Sequence, residues 1–350
     1  MAAGHTLRKT LLTLLKVAVT LLIIWFLVKK LGVNAIVATV MQARFDWLLA
    51  ALAVFVASVF IGVLQWQMLL KSRGIPLPFG RATRLYFMGM FFNNFVFGGI
   101  VGDAVKVGSI HLHDKQGRAG LAATFLDRFV GMWAMFGFAI AGSAVLLRRG
   151  MATNHKIDTA MIALLVTFIV FAGIITLLVS RRTQRLFFSL FDRLRIPQKQ
   201  RIRDIISEML FEAEDRHMLF LVVLLSSFIQ FIRIGVHIMV GASLGLVSAA
   251  NFQYFFIFVP LLATVMIIPL PLFVREALGG ALFAMAGFPQ HRAFVMSFLA
   301  SLVGLAGSLP GAAMFVIGRK SENKQMPNVH QGAQNAQRKA DPSDIPTDCP

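Results

Sequence analysis

Residues Leu85 to Ile110 read Leu-Tyr-Phe-Met-Gly-Met-Phe-Phe-Asn-Asn-Phe-Val-Phe-Gly-Gly-Ile-Val-Gly-Asp-Ala-Val-Lys-Val-Gly-Ser-Ile. The segment is apolar enough to enter a hydrocarbon core, yet Gly98, Gly99 and Gly102 interrupt it, and glycine favours non-helical geometry. A second apolar segment, Phe252 to Gly287, is interrupted by Pro260, Pro269 and Pro271, each of which removes a backbone donor. Neither segment is expected to be one continuous helix. Whether each crosses a membrane or enters and returns on the same face decides the topology of the whole chain.

The rest of the sequence supplies the frame. The chain has 350 residues, 57% hydrophobic and 14% charged, whereas soluble domains carry about 25% charged residues. A single water-soluble domain is excluded. Charge-free runs at Trp47 to Leu70, Phe129 to Leu147, Thr159 to Ser180 and Ala293 to Gly318 are 24, 19, 22 and 26 residues long, and about 20 helical residues cross a core about 30 Å thick. Thr10 to Val28, interrupted by Lys16, makes a fifth span and has no cleavage signature. Met218 to Leu246, which contains Arg233 and His237, makes a sixth.

The positive-inside rule arbitrates between the two topologies. With both broken segments re-entrant and the N-terminus cytoplasmic, the inside loops hold 23 Lys or Arg and the outside loops 7. If each broken segment crosses once, the outside holds 16 and the inside 14. The first arrangement is preferred. It predicts an all-α polytopic membrane protein with about six full transmembrane helices plus two broken re-entrant segments, multi-pass in a bacterial inner membrane with both termini cytoplasmic. It also predicts an inverted repeat, residues 10–147 and 159–318, within a membrane domain 1–318. Transporters built this way bind substrate near the midplane, where the two interruptions meet. No residue-level identity between the halves is obvious in the sequence. Residues 181–217, with 9 basic and 6 acidic side chains among aromatic and aliphatic ones, are expected to lie on the inner leaflet or to form a solvated connecting helix. Residues 319–350 read as a disordered cytoplasmic tail.

The net charge of +18 is accounted for by this topology and by anionic lipid, so nucleic acid is not expected as a partner. Cys349 stands alone, so neither an internal disulfide nor a thiolate metal cluster can form.

Ionisable groups inside spans cost at least about 2.5 kcal/mol on insertion scales and need a partner or a watery cavity. Asn93 and Asn94 precede the first break, and Asp103 and Lys106 follow it three residues apart, on one helical face. They either line an anion site or pair locally to close the hairpin. Asp127 and Arg128 open the next span about 100° apart, so each must reach a neighbouring helix, Asp127 toward a base such as Lys106 and Arg128 toward an acid or a headgroup. Ser226, Gln230, Arg233 and His237 form one stripe along a helix. Arg233 is the residue best suited to phosphate because its planar fork binds oxyanions in bidentate fashion. His237 either carries a proton or donates one structural hydrogen bond. Arg275 and Glu276 follow the prolines of the second break, at the start of a half-helix whose positive end suits an anionic headgroup. Glu276 either neutralises an arginine or touches substrate.

These residues resemble a known family. Phe91 to Lys106, the Leu-Asp-Arg at 126–128 and the Pro-Leu-Pro-Leu-Phe-Val-Arg-Glu-Ala-Leu at 269–278 are similar to the lysylphosphatidylglycerol synthase transmembrane family, also called flippase-like domain proteins. The resemblance covers about residues 10–318. By resemblance Asn93, Asn94, Gly102, Asp103, Asp127, Arg128, Arg275 and Glu276 occupy the motif positions, and the implied activity is movement of a lipid between leaflets. The sequence departs from the family where Val96 and Phe97, Lys106, and Leu272 and Phe273 stand. Only a polar tail follows Gly318, so the chain is expected to lack an aminoacyl-transfer domain and not to make lysyl lipid itself.

Enzyme readings fare less well. Gly241 to Gly245 spells Gly-x-Ser-x-Gly, but it ends an apolar helix, where small residues four apart serve close packing. His111, His113 and Asp114 lack further ligands for a metal, no phosphate-binding loop for ATP occurs, and no cofactor is implied. The expected function is a lipid flippase or lipid transporter for phospholipids or lipid-linked intermediates with anionic or zwitterionic headgroups, and not an enzyme. The alternative is a non-transporting membrane partner subunit that presents lipid to a separate lipid-modifying or envelope biosynthesis enzyme.

Overall fold

A computed structural model of the chain describes residues 33–95, 101–149, 155–193, 199–200, 203, 207, 216–265 and 274–338. Eleven helices lie among the described residues: α1 (Val33–Met41), α2 (Phe45–Ser72), α3 (Phe79–Phe95), α4 (Val101–Asp114), α5 (Gly117–Arg148), α6 (His155–Val179), α7 (Arg181–Phe191), α8 (Arg216–Ser243), α9 (Gln253–Val265), α10 (Val274–Met285) and α11 (Gln290–Arg338). No strand occurs among them. The protein is all-helical, and α2, α5, α8 and the 290–317 part of α11 are each long and apolar enough to cross a membrane. The span expected at 10–28 lies outside the described residues. The span expected at 159–180 corresponds to α6, 25 residues long. Backbone helix continues in α11 to Arg338, through residues that the sequence reading assigned to a disordered tail. Gln, Lys, Arg and Ala, ten of the 20 residues from 319 to 338, are good helix formers.

Both interrupted segments are helical hairpins. In the first, Arg81 near the start of α3 pairs with Asp114 at the end of α4 at 2.7 Å, while near the tip Asn93 accepts a hydrogen bond from the Gly102 amide at 2.8 Å. The arms are therefore antiparallel. In the second, Phe255 of α9 packs on Phe283 of α10 at 4.8 Å between centroids, and further along Leu262 reaches Gly279, so these arms are antiparallel too. Because the described arms, 17, 14, 13 and 12 residues long, run antiparallel, each pair brings the chain back toward the side it came from.

Two of the residues read as interruptions lie within helices. Gly102 is the second residue of α4, and Pro260 lies inside α9 without ending it. Gly98, Gly99, Pro269 and Pro271 lie outside the described residues. Gly102 is required for a different reason, since a Cβ there would stand 1.7 Å from the Gly89 carbonyl oxygen. The two glycines let the hairpin backbones touch, as small residues do between helices in lipid.

Helix packing follows the same rule. Gly311 of α11 lies against the Phe87 backbone, and Gly142 of α5 against Phe256 and the Gln253 carbonyl. Gly241 of α8 meets Phe255 and Met296, which gives the Gly-x-Ser-x-Gly string a packing role. Gly245 then ends α8 at φ 65°, with the Leu246 amide donating to the Gly241 carbonyl at 3.0 Å, a helix-terminating loop and not a strand-to-helix elbow. One apolar cluster gathers Phe255, Phe258, Phe283 and Phe288 beneath the second hairpin. Another gathers Trp66, Leu85, Leu126 and Phe129 beneath the first. Between the hairpins, α2 packs along α8 in antiparallel sense, with the Arg44 amide donating to the Ser243 carbonyl at one end and Ser226 bonded to Gln65 toward the other.

Candidate functional site

The polar residues singled out in the sequence fall into three connected groups along the α2–α8 contact. The first is at the base of α4. Asp103 sits in that helix's first turn, where a carboxylate is favoured by the helix dipole. Lys106 approaches it at 3.1 Å, and Arg128 of α5 clamps it with Nε at 2.9 Å and Nη2 at 3.3 Å. The Lys106 ammonium lies 5.1 Å from the Trp66 ring centre and 4.9 Å from that of Tyr86. With its side chain 5% exposed, it is a cation boxed between a carboxylate and two aromatic faces. Lys106 therefore closes the hairpin and has little access to a ligand. Arg128, with a side chain 49% exposed, keeps an open edge.

Asn93 and Asn94 divide their work. Asn93 caps α4, its Oδ1 accepting from the Gly102 amide, a donor that the start of a helix leaves without an internal partner. Asn94 Nδ2 points across to the Gly304 carbonyl of α11 at 3.4 Å. One asparagine ties the hairpin together, and the other ties it to the opposite half of the chain.

The second group joins three helices. Gln65 of α2 donates to Asp127 Oδ1 at 2.9 Å and accepts from Ser226 of α8 at 2.9 Å. The hydrogen bond to Asp127 comes from Gln65, while Lys106, the base the sequence reading named, acts on it through its charge; helix α5 begins ten residues before Asp127 and carries it well inside the bundle. One turn above Ser226, Gln230 is buried against Gly131 of α5, whose missing Cβ makes room for the amide nitrogen. Its Oε1 has no partner among the described residues. Arg233 follows, half-buried, with a buried Nε that likewise has no partner among them. The guanidinium lies within electrostatic reach of Asp127 and Tyr86. His237 Nδ1 lies 2.9 Å from the Arg233 carbonyl. A carbonyl can only accept, so Nδ1 carries the hydrogen and the neutral ring presents Nε2 as an acceptor.

The third group is at the base of α10. Arg275 donates to Ser301 Oγ of α11, Ser301 donates to Glu276 Oε1 at 2.6 Å, and Arg275 lies 3.2 Å from Glu276. Glu276 is nearly buried. His237 feels the charges of both Arg233 and Arg275, which links this group to the stripe on α8. Trp66, which also donates to Thr124 at 3.1 Å, belongs to the site together with Gln65, Tyr86 and Ser301. All four were missed by the sequence reading. Gln65 could have been found as the polar interruption of an otherwise apolar run.

Oxyanion-seeking groups (Arg233, the open edge of Arg128, Arg275) and three carboxylates thus occur together within an apolar helical bundle. Such an arrangement can hold a small charged headgroup while its apolar portion remains among side chains or lipid. Among the described residues no set of three His, Cys, Asp or Glu side chains is grouped as a metal site would require.

A UPF0104 membrane protein of Pyrococcus horikoshii is 29% identical over 102 residues, which are 29% of this chain and 29% of that protein. The match spans less than a third of that relative's length. No solved structure matches. Residues 13–311, nearly the whole set of helices described above, match the model of the lysylphosphatidylglycerol synthase TM region, and the chain belongs to that family of multi-pass membrane proteins.

Proposed function

We propose that the protein moves a phospholipid or lipid-linked intermediate between membrane leaflets, its headgroup passing through the polar stripe between α2, α5 and α8 while the acyl chains stay in lipid. One observation carries this reading. Arg233 stands well inside a 28-residue apolar helix with its Nε buried and unpartnered among the described residues, where a charged group short of a hydrogen-bond partner costs several kcal/mol. A passing phosphate is the group whose binding would offset that cost. Arg233 takes the phosphate, with Arg128 and Arg275 at either end of the stripe. Asp103, Asp127 and Glu276 balance charge or meet an amine, which admits anionic and zwitterionic headgroups. The surplus of basic residues in loops on one side supports a reading with both termini cytoplasmic, in a bacterial inner membrane. The residues in the stripe are read as a binding path without catalytic chemistry.

The test is lipid flux in liposomes holding the purified protein, with headgroup-labelled lipids quenched by external dithionite. Accelerated loss of inner-leaflet signal that Arg233→Ala abolishes supports the reading. Lipid binding without acceleration, under an imposed ion gradient as well as without one, replaces it with a partner subunit that presents lipid to another enzyme.

A further inference from the structure

The two hairpins carry similar short sequences, identical at two of five positions and with a carboxylate at the same place. Val101-Gly-Asp-Ala-Val105 opens α4, and Val274-Arg-Glu-Ala-Leu278 opens α10, 173 positions later. The correspondence extends to contacts. Asp103 is held by Arg128 and Glu276 by Ser301, in both cases 25 residues on in the helix that follows the hairpin. Gly89 meets the Lys106 side chain within the first hairpin, and the residues 173 positions on, Leu262 and Gly279, meet within the second. Helix partners are exchanged in the same way: α3 packs on α11, α9 packs on α5, and α2 packs on α8 at the centre. Gly307 of α11 receives Phe55 of α2 and Gly131 of α5 receives Gln230 of α8, a likeness that holds to within three positions of the same shift.

The correspondence fails in the charges. Arg128 and Lys106 have Ser301 and Gly279 as counterparts, while Arg275 stands where the first hairpin has Gly102. The first carboxylate is clamped by two cations at 2.9 and 3.1 Å. The second is held by a hydroxyl and one arginine. The inequality is one of residue type, and both equivalent contacts are made in this structure, as a path closed at each end requires.

We propose that Asp103 with Arg128 and Glu276 with Ser301 are the two gates of one transport path, equivalent through an internal inverted repeat, and that they release alternately so that the cleft at Arg233 opens to one membrane face at a time. The proposal rests on the transport reading above and adds to it two conformations and the contacts that separate them. In the conformation described here both gates are closed.

Thr124 and Ser297 are buried counterparts under the same 173-residue shift, and each can be replaced by a near-isosteric cysteine. In the full-length protein with Cys349→Ser, single cysteines Thr124→Cys and Ser297→Cys are labelled in proteoliposomes by an impermeant maleimide supplied on either face. Arg128→Ser is expected to raise labelling of the first cysteine severalfold from one face and to lower that of the second from the other. Ser301→Arg is expected to do the reverse. Labelling that rises together at both cysteines, that changes from the same face, or that does not change overturns the proposal. If Arg128→Ser does not fold, Ser301→Arg, which removes no cation, decides alone. Lipid flux in the same vesicles separates the two readings. Reciprocal labelling without flux for any lipid retains the gates and overturns lipid transport, whereas undiminished flux in a variant labelled from one face only overturns the gates and retains lipid transport.

Discussion

Gln65 donates to Asp127 across 62 residues of chain while accepting from Ser226, so one uncharged amide joins α2, α5 and α8. Its two ends are matched: the nitrogen serves a carboxylate that can only accept, and the carbonyl serves a hydroxyl that can donate. Gln65→Leu leaves both partners buried and unsatisfied, at a cost of about 1–3 kcal/mol for the neutral group and more for the charged one. The thermal midpoint of the detergent-purified variant should fall by several degrees. Asp127→Asn can still accept from Gln65 and should lose less. Equal losses in the two variants would mean that the charge of Asp127, and not the hydrogen bond, is the stabilising element.

Close approach of Gly89 and Gly102 sets a steric limit on the first hairpin. A Cβ at 102 would lie 1.7 Å from the Gly89 carbonyl oxygen, and the obstacle is backbone that cannot rotate away. Gly102→Ala should therefore exceed the about 1–3 kcal/mol typical of overpacking and sharply reduce the yield of folded protein. Gly108→Ala on the same helix is the control. Nothing lies within 4 Å of its would-be Cβ, and removing glycine from a helix interior gains about 0.5–1 kcal/mol. A Gly108→Ala variant as damaged as Gly102→Ala would show that α4 does not pack as described.

Lys106 tests whether the first gate is held by charge alone. Lys106→Met keeps most of the chain volume against Trp66 and Tyr86 but leaves Asp103 to Arg128. Loss of one partner from a buried pair is strongly destabilising, about 3–5 kcal/mol where the remaining charge has no other contact, and the Arg128 fork should hold the loss below that. Lys106→Met combined with Arg128→Gln should cost more than the two single changes added together, because only the double variant strands the carboxylate. Chemical denaturation of the four proteins measures the coupling, and strict additivity would refute it.

The return of both segments on themselves was legible in the sequence, because clustered Gly and Pro act locally on the backbone, although Gly98, Gly99, Pro269 and Pro271 themselves lie outside the described residues. The exact placement of the interruptions was less legible: Pro260 sits within α9, where neighbours compensate for the lost donor. The Asp103 and Lys106 pair was foreseeable from its spacing of three. Arg128 with Asp103, Gln65 with Asp127 and Ser301 with Glu276 were not, since each joins different helices and no periodicity within one helix encodes it. Charge itself misplaced the start of α5. A charge-free run beginning at Phe129 hid a helix that begins at Gly117 and takes Asp127 and Arg128 inside with their partners. The match between Val101–Val105 and Val274–Leu278 was present in the sequence all along, but five residues become persuasive only when the contacts around them repeat as well.

Arg233 gives the sharpest separation of function from stability. Most buried charges in this chain are engaged: Asp103, Lys106 and Glu276 all have ionic or hydrogen-bonding partners in the bundle. Arg233 Nε has no hydrogen-bond partner among the described residues, and the guanidinium meets Asp127 only through its charge, so Arg233→Gln removes a desolvation cost without breaking a hydrogen bond at Nε. The thermal midpoint should stay level or rise. Lipid flux should fall by at least about tenfold, the equivalent of 1.4 kcal/mol, if the guanidinium meets a phosphate in transit. Arg233→Lys keeps the charge but loses the planar fork and should recover only part of the flux. A variant that loses stability and flux together would instead make Arg233 a structural counter-charge to Asp127, and the stripe on α8 would then be part of the scaffold and not of the path.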